Sequence, residues 1–173
     1  THSSGIPEYF DLFQQYRGML DTLNNEALVA LLALHKPAPE FAPGTRWNYC
    51  NTNYVLLANI IERISKLPMN EFFRQYISVP LGLKETYVYN VLMPAIPANH
   101  VYGFKKTNGV KQLYDLTNLD GVTGDGNIYS SVEDLYRWEQ SLYTEKLVKK
   151  ETLMQAFQPV RLKDGSTYPY GFG

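Results

Sequence analysis

The sequence predicts an α+β chain rich in helix, with one short β-hairpin and too few strands to build a self-sufficient sheet. Two stretches, 24–35 and 52–65, repeat apolar residues at helical intervals. Asn108-Gly109 interrupts a run of β-formers with the dipeptide that a tight hairpin turn requires. With 173 residues, 45% of them hydrophobic and 14% aromatic, the chain has an ordinary globular composition, long enough for one buried core.

Taken in order, the first helix is expected from Asn24 to His35, with Leu28, Leu31 and Leu32 on one face behind an Asn cap and with Pro37 and Pro39 ending it. The second, Thr52 to Ser65, places Tyr54, Leu57, Ile61 and Ile64 on one stripe, keeps Glu62 and Arg63 off it, and is closed by Pro68. A short helix from Met69 to Tyr76 carries Phe72, Phe73 and Tyr76 and leads into a Pro80-Leu81-Gly82-Leu83 stop. Residues 101–114 read as a two-stranded ribbon. Ser130 and Ser131 stand at capping-box spacing before Glu133 and Asp134, and Leu135, Trp138 and Leu142 follow at helical intervals, so 131–143 is expected to be helical. A last helix is expected from Glu151 to Phe157, and Tyr168 to Gly173 alternates aromatic and small residues like the opening of a strand. No repeat or low-complexity tract occurs, and the ten prolines and twelve glycines punctuate short segments, so 1–173 reads as one domain or part of one.

Composition narrows the chemistry. Sixteen basic against 17 acidic side chains leave no phosphate-neutralising excess, which disfavours nucleic acid as a partner and favours a small-molecule substrate. No apolar stretch approaches the roughly 20 residues that a membrane-spanning helix needs. His2, His35 and His100 offer no pair at metal-ligand spacing, so no metal is expected, and no cofactor motif occurs. Asp120 to Asn127 has the composition of a calcium loop without its register, and reads more simply as a Gly-rich turn before a helix cap. The chain contains neither Ser-x-x-Lys nor Gly-x-Ser-x-Gly. The single cysteine, Cys50, cannot form an internal disulfide; it is expected to be buried and inert, the alternative being a thiol activated at a helix N-terminus.

Phe41 to Tyr54 is where unusual residues meet: a Pro43-Gly44 turn presents a polar, aromatic loop just before an apolar helix. Tyr49 and Asn51, two apart in an extended loop, would face one ligand together. A tyrosine can move a proton if cations lower its pKa from about 10, and an Asn amide can both donate and accept. The same two residues could instead cap and pack the helix start, and their identity alone leaves both roles open.

Phe41-x-Pro43-Gly44-Thr45 followed by Tyr49-Cys50-Asn51-Thr52-Asn53-Tyr54 resembles the Tyr-x-Asn region of serine β-lactamases of class C type and of the related penicillin-binding proteins, DD-peptidases and esterases. Other pieces agree in order: His2-Ser3-Ser4-Gly5-Ile6 resembles the family's His-Thr-Ser-Gly-Leu segment, and Pro80-Leu81-Gly82-Leu83 with Thr86 its Pro-Leu-Gly-Met segment. Gly124 to Ser131 with Asp134, Leu135 and Trp138 resembles its Gly-rich turn and following helix, and Tyr170 to Gly173 the start of its next strand. The resemblance implies an acyl-enzyme formed by a Ser-x-x-Lys serine on a lactam, peptide or ester carbonyl, with Tyr49 as the catalytic proton relay and Asn51 binding the substrate amide. It also implies the helix-rich central part of a β-lactamase/transpeptidase-like fold, with most of the main sheet missing, and a peptidoglycan-like or other small substrate. A location in the cell envelope is implied in the same way. Cys50 stands where the family usually has Ser, removing a hydroxyl partner. By the same resemblance, the nucleophile segment and the Lys/His-x-Gly strand lie outside 1–173. The chain by itself is therefore expected to be an inactive fragment whose exposed sheet-facing surface favours dimers or swapped oligomers. A non-catalytic binding module that retains the scaffold is the alternative.

Overall fold

The computed structural model describes residues 1–16, 22–93, 95–114 and 119–172. Two helices, α1 (Tyr9–Tyr16) and α2 (Asn25–His35), lead to the central helix α3 (Thr52–Ser65). A short α4 (Met69–Phe73), a π-helical turn (Arg74–Ser78) and α5 (Val79–Leu81) follow as one winding segment. After β1 (Tyr87–Val88) come β2 (Phe104–Thr107), β3 (Val110–Leu113) and β4 (Ile128–Tyr129), then α6 (Val132–Ser141), α7 (Lys150–Ala156), β5 (Val160–Arg161) and β6 (Thr167–Tyr168). Among the described residues the strands form three separate antiparallel pairs, β1 with β4, β2 with β3 and β5 with β6, which fits the helix-rich α+β expectation.

The local signals account for most boundaries. Asn24 caps α2, its side chain accepting from the Ala27 amide at 2.8 Å, and Ser131 caps α6 by accepting from the Asp134 amide at 3.2 Å. The hairpin turns on Asn108 (φ 51°) and Gly109 (φ 81°), the left-handed pair that lets a two-residue loop follow the strand twist. Both faces of this hairpin are exposed; Lys111 covers the Phe104 ring at 4.2 Å and Lys105 the Tyr114 ring at 4.5 Å. The helix expected to stop at Tyr76 continues to Leu81, because the π turn changes the carbonyl register ahead of Pro80, which lacks an N–H to continue an ordinary ladder.

The core gathers Tyr9 and Phe13 of α1, Leu23, Leu28 of α2, Val55 of α3 and Val122. Leu28 and Val55 are fully buried, each worth about 2 kcal/mol of hydrophobic stabilisation. The buried face of α3 is Thr52, Val55, Ala58 and Asn59. The more strongly apolar neighbouring stripe does not take that place: Leu57 and Ile64 are exposed, as is Ile60. Small residues win the inner face because backbone packs against it. Gly124 lies so close that a Cβ there would meet the Tyr54 carbonyl oxygen at 2.5 Å and the Ala58 Cβ at 2.6 Å. Its φ of +109° adds a backbone penalty for any other residue. Gly124→Ala is therefore expected to destabilise the protein by about 2 kcal/mol, read as a lowered midpoint in urea unfolding. An unchanged midpoint would refute this packing.

One buried amide ties the core to the loop that follows it. Asn25, nearly inaccessible, donates to the Thr123 carbonyl at 3.1 Å and accepts from the Thr123 amide at 2.8 Å. Leaving either group unpaired in this dry position would cost more than the bonds gain, so the loop into Gly124 has one position relative to α2.

Candidate active site

Tyr49 opens onto a cavity of about 370 Å³. Its ring stacks on His2 at 4.3 Å and meets the edge of Tyr170 at 6.5 Å, leaving the residue half exposed. His2 is buried and is held from 48 residues away: its Nδ1 lies 3.0 Å from the Cys50 amide nitrogen and 3.1 Å from the Cys50 carbonyl oxygen. Burial keeps His2 below its ordinary pKa, so at neutral pH the ring is uncharged. Nε2 and the Tyr54 hydroxyl are both buried without a hydrogen-bond partner among the described residues, and both residues line the cavity.

Asn51 is placed differently from its expected role beside Tyr49. It has helical dihedrals (φ −68°, ψ −32°) at the start of α3, so the alternation of an extended loop stops before it. Its backbone amide and its Nδ2 both donate to Glu8 Oε2, at 2.8 and 3.0 Å. It is absent from the lining of the cavity beside Tyr49. Glu8 uses Oε1 to accept from the Tyr9 amide at 2.9 Å, so one carboxylate starts α1 and fixes the start of α3.

The thiol of Cys50 is buried and donates to the Ile6 carbonyl at 3.2 Å. Burial pushes its pKa up, and bonds from Thr52 and Asn53 offset this only in part. The fold does bring a histidine to Cys50, but to its backbone, so the activated-thiol alternative lacks its base.

The far wall comes from Gly124, Asp125 and Gly126. Tyr9 donates its hydroxyl to Asp125 Oδ2 at 2.9 Å across 116 residues. Burial raises the Asp125 pKa and the Tyr9 bond counters it. Burial also pushes the Tyr49 phenol up, and Tyr170, Asp125 and Glu8 add to the rise. Among the described residues, no lysine, serine, threonine or cysteine lines the cavity. The sequence singles out Tyr49, Asn51 and Cys50 in this region; Glu8, Asp125 and Tyr170 enter through contacts that no local pattern encodes. A second depression of about 520 Å³ lies away from Tyr49, lined by Asn25, Asn59 and Glu62 among others. Asn25 is already engaged with Thr123, and Glu62 accepts from the Met69 amide at 2.8 Å.

Among the described residues no three His, Cys, Asp or Glu side chains gather as metal ligands, and no helix is long and apolar enough to cross a membrane.

Comparison with known proteins gives a consistent result. The family model described as Beta-lactamase matches residues 1–173. A penicillin-binding protein of Bacillus subtilis (strain 168) is 36% identical over 183 residues, covering 100% of this chain and 41% of that protein. A D-aminopeptidase of Brucella canis is 26% identical, covering 98% of this chain and 37% of the relative. In the solved structures, a penicillin binding protein from Bacillus halodurans superposes with a TM-score of 0.79 at 24% identity, over 99% of this chain and 53% of that one, a likeness of fold. The chain thus spans about two fifths of the length of these curated relatives.

Proposed function

The chain belongs to the beta-lactamase family, and from that premise we propose that it is the helix-rich part of a serine hydrolase domain that acts on an amide, peptide or ester carbonyl through an acyl-enzyme. The observation that carries this reading is the cavity beside Tyr49, which presents a phenol on a buried histidine and is walled by the Gly124-Asp125-Gly126 loop. Tyr49 is the proton relay; its raised pKa keeps it a phenol at neutral pH until a cation from outside 1–173 reaches it. Asn51 lies outside the lining of this cavity with its Nδ2 held by Glu8, so its role is to bind the substrate amide through Oδ1 where the rest of the domain extends the site to it. The nucleophilic serine belongs to a segment outside this chain, and 1–173 alone is inactive and forms part of one domain. The penicillin-binding and D-aminopeptidase relatives make a peptide or amino-acid amide the favoured substrate class, handled in the cell envelope. The exposed Leu57, Ile60 and Ile64 of α3 would pack against the rest of that domain or, in isolation, against a second copy.

Incubating the full-length protein with a penicillin or an activated ester, then weighing it by mass spectrometry, tests this. A single acyl adduct on a serine is expected. No adduct with either reagent, and no turnover of any amide, overturns the hydrolase reading in favour of a binding module that keeps the scaffold.

A further inference from the structure

The inward face of α3 changes character along its length. Thr52, Val55 and Ala58 face the core, but the next residue on that face is Asn59, which is 5% exposed and lines the 520 Å³ depression. Its carboxamide has no hydrogen-bond partner among the described residues. A buried amide left unpaired is costly unless something in the cavity bonds to it. The same cavity takes in Glu62, Arg63 and Lys66 of the α3 end and Glu26 of α2. Among the described residues none of these four is ion-paired. Glu62 and Arg63 are adjacent on the helix, point about 100° apart and so do not face each other. The Met69 amide holds Glu62 Oε1 at 2.8 Å and leaves Oε2 free. A smaller cavity of about 230 Å³ shares Glu62, Pro68, Asn90 and Thr123 with the first and adds Leu92 and Met93, an apolar end. At about 3.6 residues per turn, Asn59 and Glu62 lie on the side of α3 opposite exposed Leu57 and Ile64. A remainder of the domain that packs on that apolar stripe therefore leaves this cavity open.

We infer that this cavity is a second binding site, separate from the one beside Tyr49, for a small zwitterion: a free amino acid or a dipeptide with both ends uncapped. Arg63 and Lys66 take the carboxylate, Glu62 takes the ammonium, and the Asn59 carboxamide bonds to the polar backbone of the ligand. An apolar side chain enters the Leu92-Met93 end. With two side chains of each sign in the lining, a ligand of one charge is attracted by one pair and repelled by the other. The 520 Å³ cavity shares no lining residue with the one beside Tyr49; Thr123 borders the first and Gly124, the next residue, the second. The inference concerns binding alone and stands apart from the hydrolase reading.

Calorimetric titration of the full-length protein tests this with three ligands of one shape: leucine, leucinol, which lacks the carboxylate, and isocaproate, which lacks the ammonium. Leucine is expected to bind at least about tenfold more tightly than either of the others. Glu62→Gln, which keeps an acceptor for the Met69 amide, and Arg63→Gln are each expected to weaken leucine about tenfold with the circular dichroism spectrum unchanged. Asn59→Leu, which puts an apolar group of similar size at the inward position, is expected to abolish leucine binding. Leucine that binds no better than its two analogues, or equally well to the wild type and both charge variants, overturns the inference. So does the absence of any binding at millimolar leucine, which leaves the cavity to water. A protein that forms an acyl adduct but does not bind leucine loses this inference alone, whereas one that binds leucine at this site without forming an adduct or turning over an amide keeps it and loses the hydrolase reading.

Discussion

Replacing Tyr49 by Phe in the full-length protein is expected to lower kcat by about 100- to 10,000-fold, the range that a positioned general acid or base contributes. The substitution keeps the ring that stacks on His2 and removes only the hydroxyl at the cavity, so the fold should be retained. Because the loss falls on the reacting proton rather than on binding, kcat and kcat/KM should drop together with KM little changed. The pH profile supplies an independent reading. The reacting form is the ionised one, and burial with the neighbours Tyr170, Asp125 and Glu8 pushes the phenol up, so the wild-type rate should fall as pH drops through the Tyr49 pKa and that acidic limb should be absent in the variant. Asn51→Ala is the contrasting case. It releases one of the bonds to Glu8 Oε2 and removes an amide rather than a proton relay, so discrimination among acyl side chains should weaken more than kcat falls. Wild-type kinetics in both variants would show that the site has been misplaced.

How much of this was legible in the sequence depends on the range of each interaction. The central helix was readable to its last residue, Thr52 to Ser65, because Pro68 and the apolar periodicity are local facts, and the Asn108-Gly109 turn announced its own dihedrals. Helix α1 went unread, although Tyr9 and Phe13 sit four apart on its buried face behind Glu8. Which face of α3 is inward was hidden for a different reason: hydrophobicity favours the stripe through Leu57 and Ile64, while the close approach of Gly124 selects the small residues of the next stripe. At the site, Tyr49 and Asn51 could be singled out from their loop, but the partners that orient them could not. His2, Glu8 and Asp125 act across 48, 43 and 116 residues, on Cys50, Asn51 and Tyr9 respectively. Such contacts leave no periodicity.

Asp134→Ala is expected to destabilise the protein by about 3 kcal/mol, more than the loss expected from Gly124→Ala. Asp134 is buried in the first turn of α6 and collects donors from three directions: the Glu85 amide at 2.7 Å, the Thr86 hydroxyl at 2.9 Å and the Arg137 guanidinium at 2.7 Å. It is thereby the link between α6 and the segment that leads into β1. Removing the carboxylate leaves the Glu85 amide without its partner and takes from the Thr86 hydroxyl one of two, the Ser130 hydroxyl at 2.8 Å remaining. Arg137, nearly half exposed, regains water and adds little to the loss. Burial alone would raise the Asp134 pKa, but the donors from Glu85, Thr86 and Arg137 outweigh it and hold the carboxyl below its ordinary value. A carboxyl depressed in the folded state binds its proton more readily when unfolded. Its contribution is therefore complete above the unfolded value of about 3.9 and is lost as pH falls through the lower folded value. Urea midpoints measured from pH 7 down to pH 2 should fall on acidification in the wild type and fall less steeply in Asp134→Asn, which keeps the shape but cannot titrate. Parallel acid limbs in the two proteins would show that this carboxylate is not the one that acid attacks first.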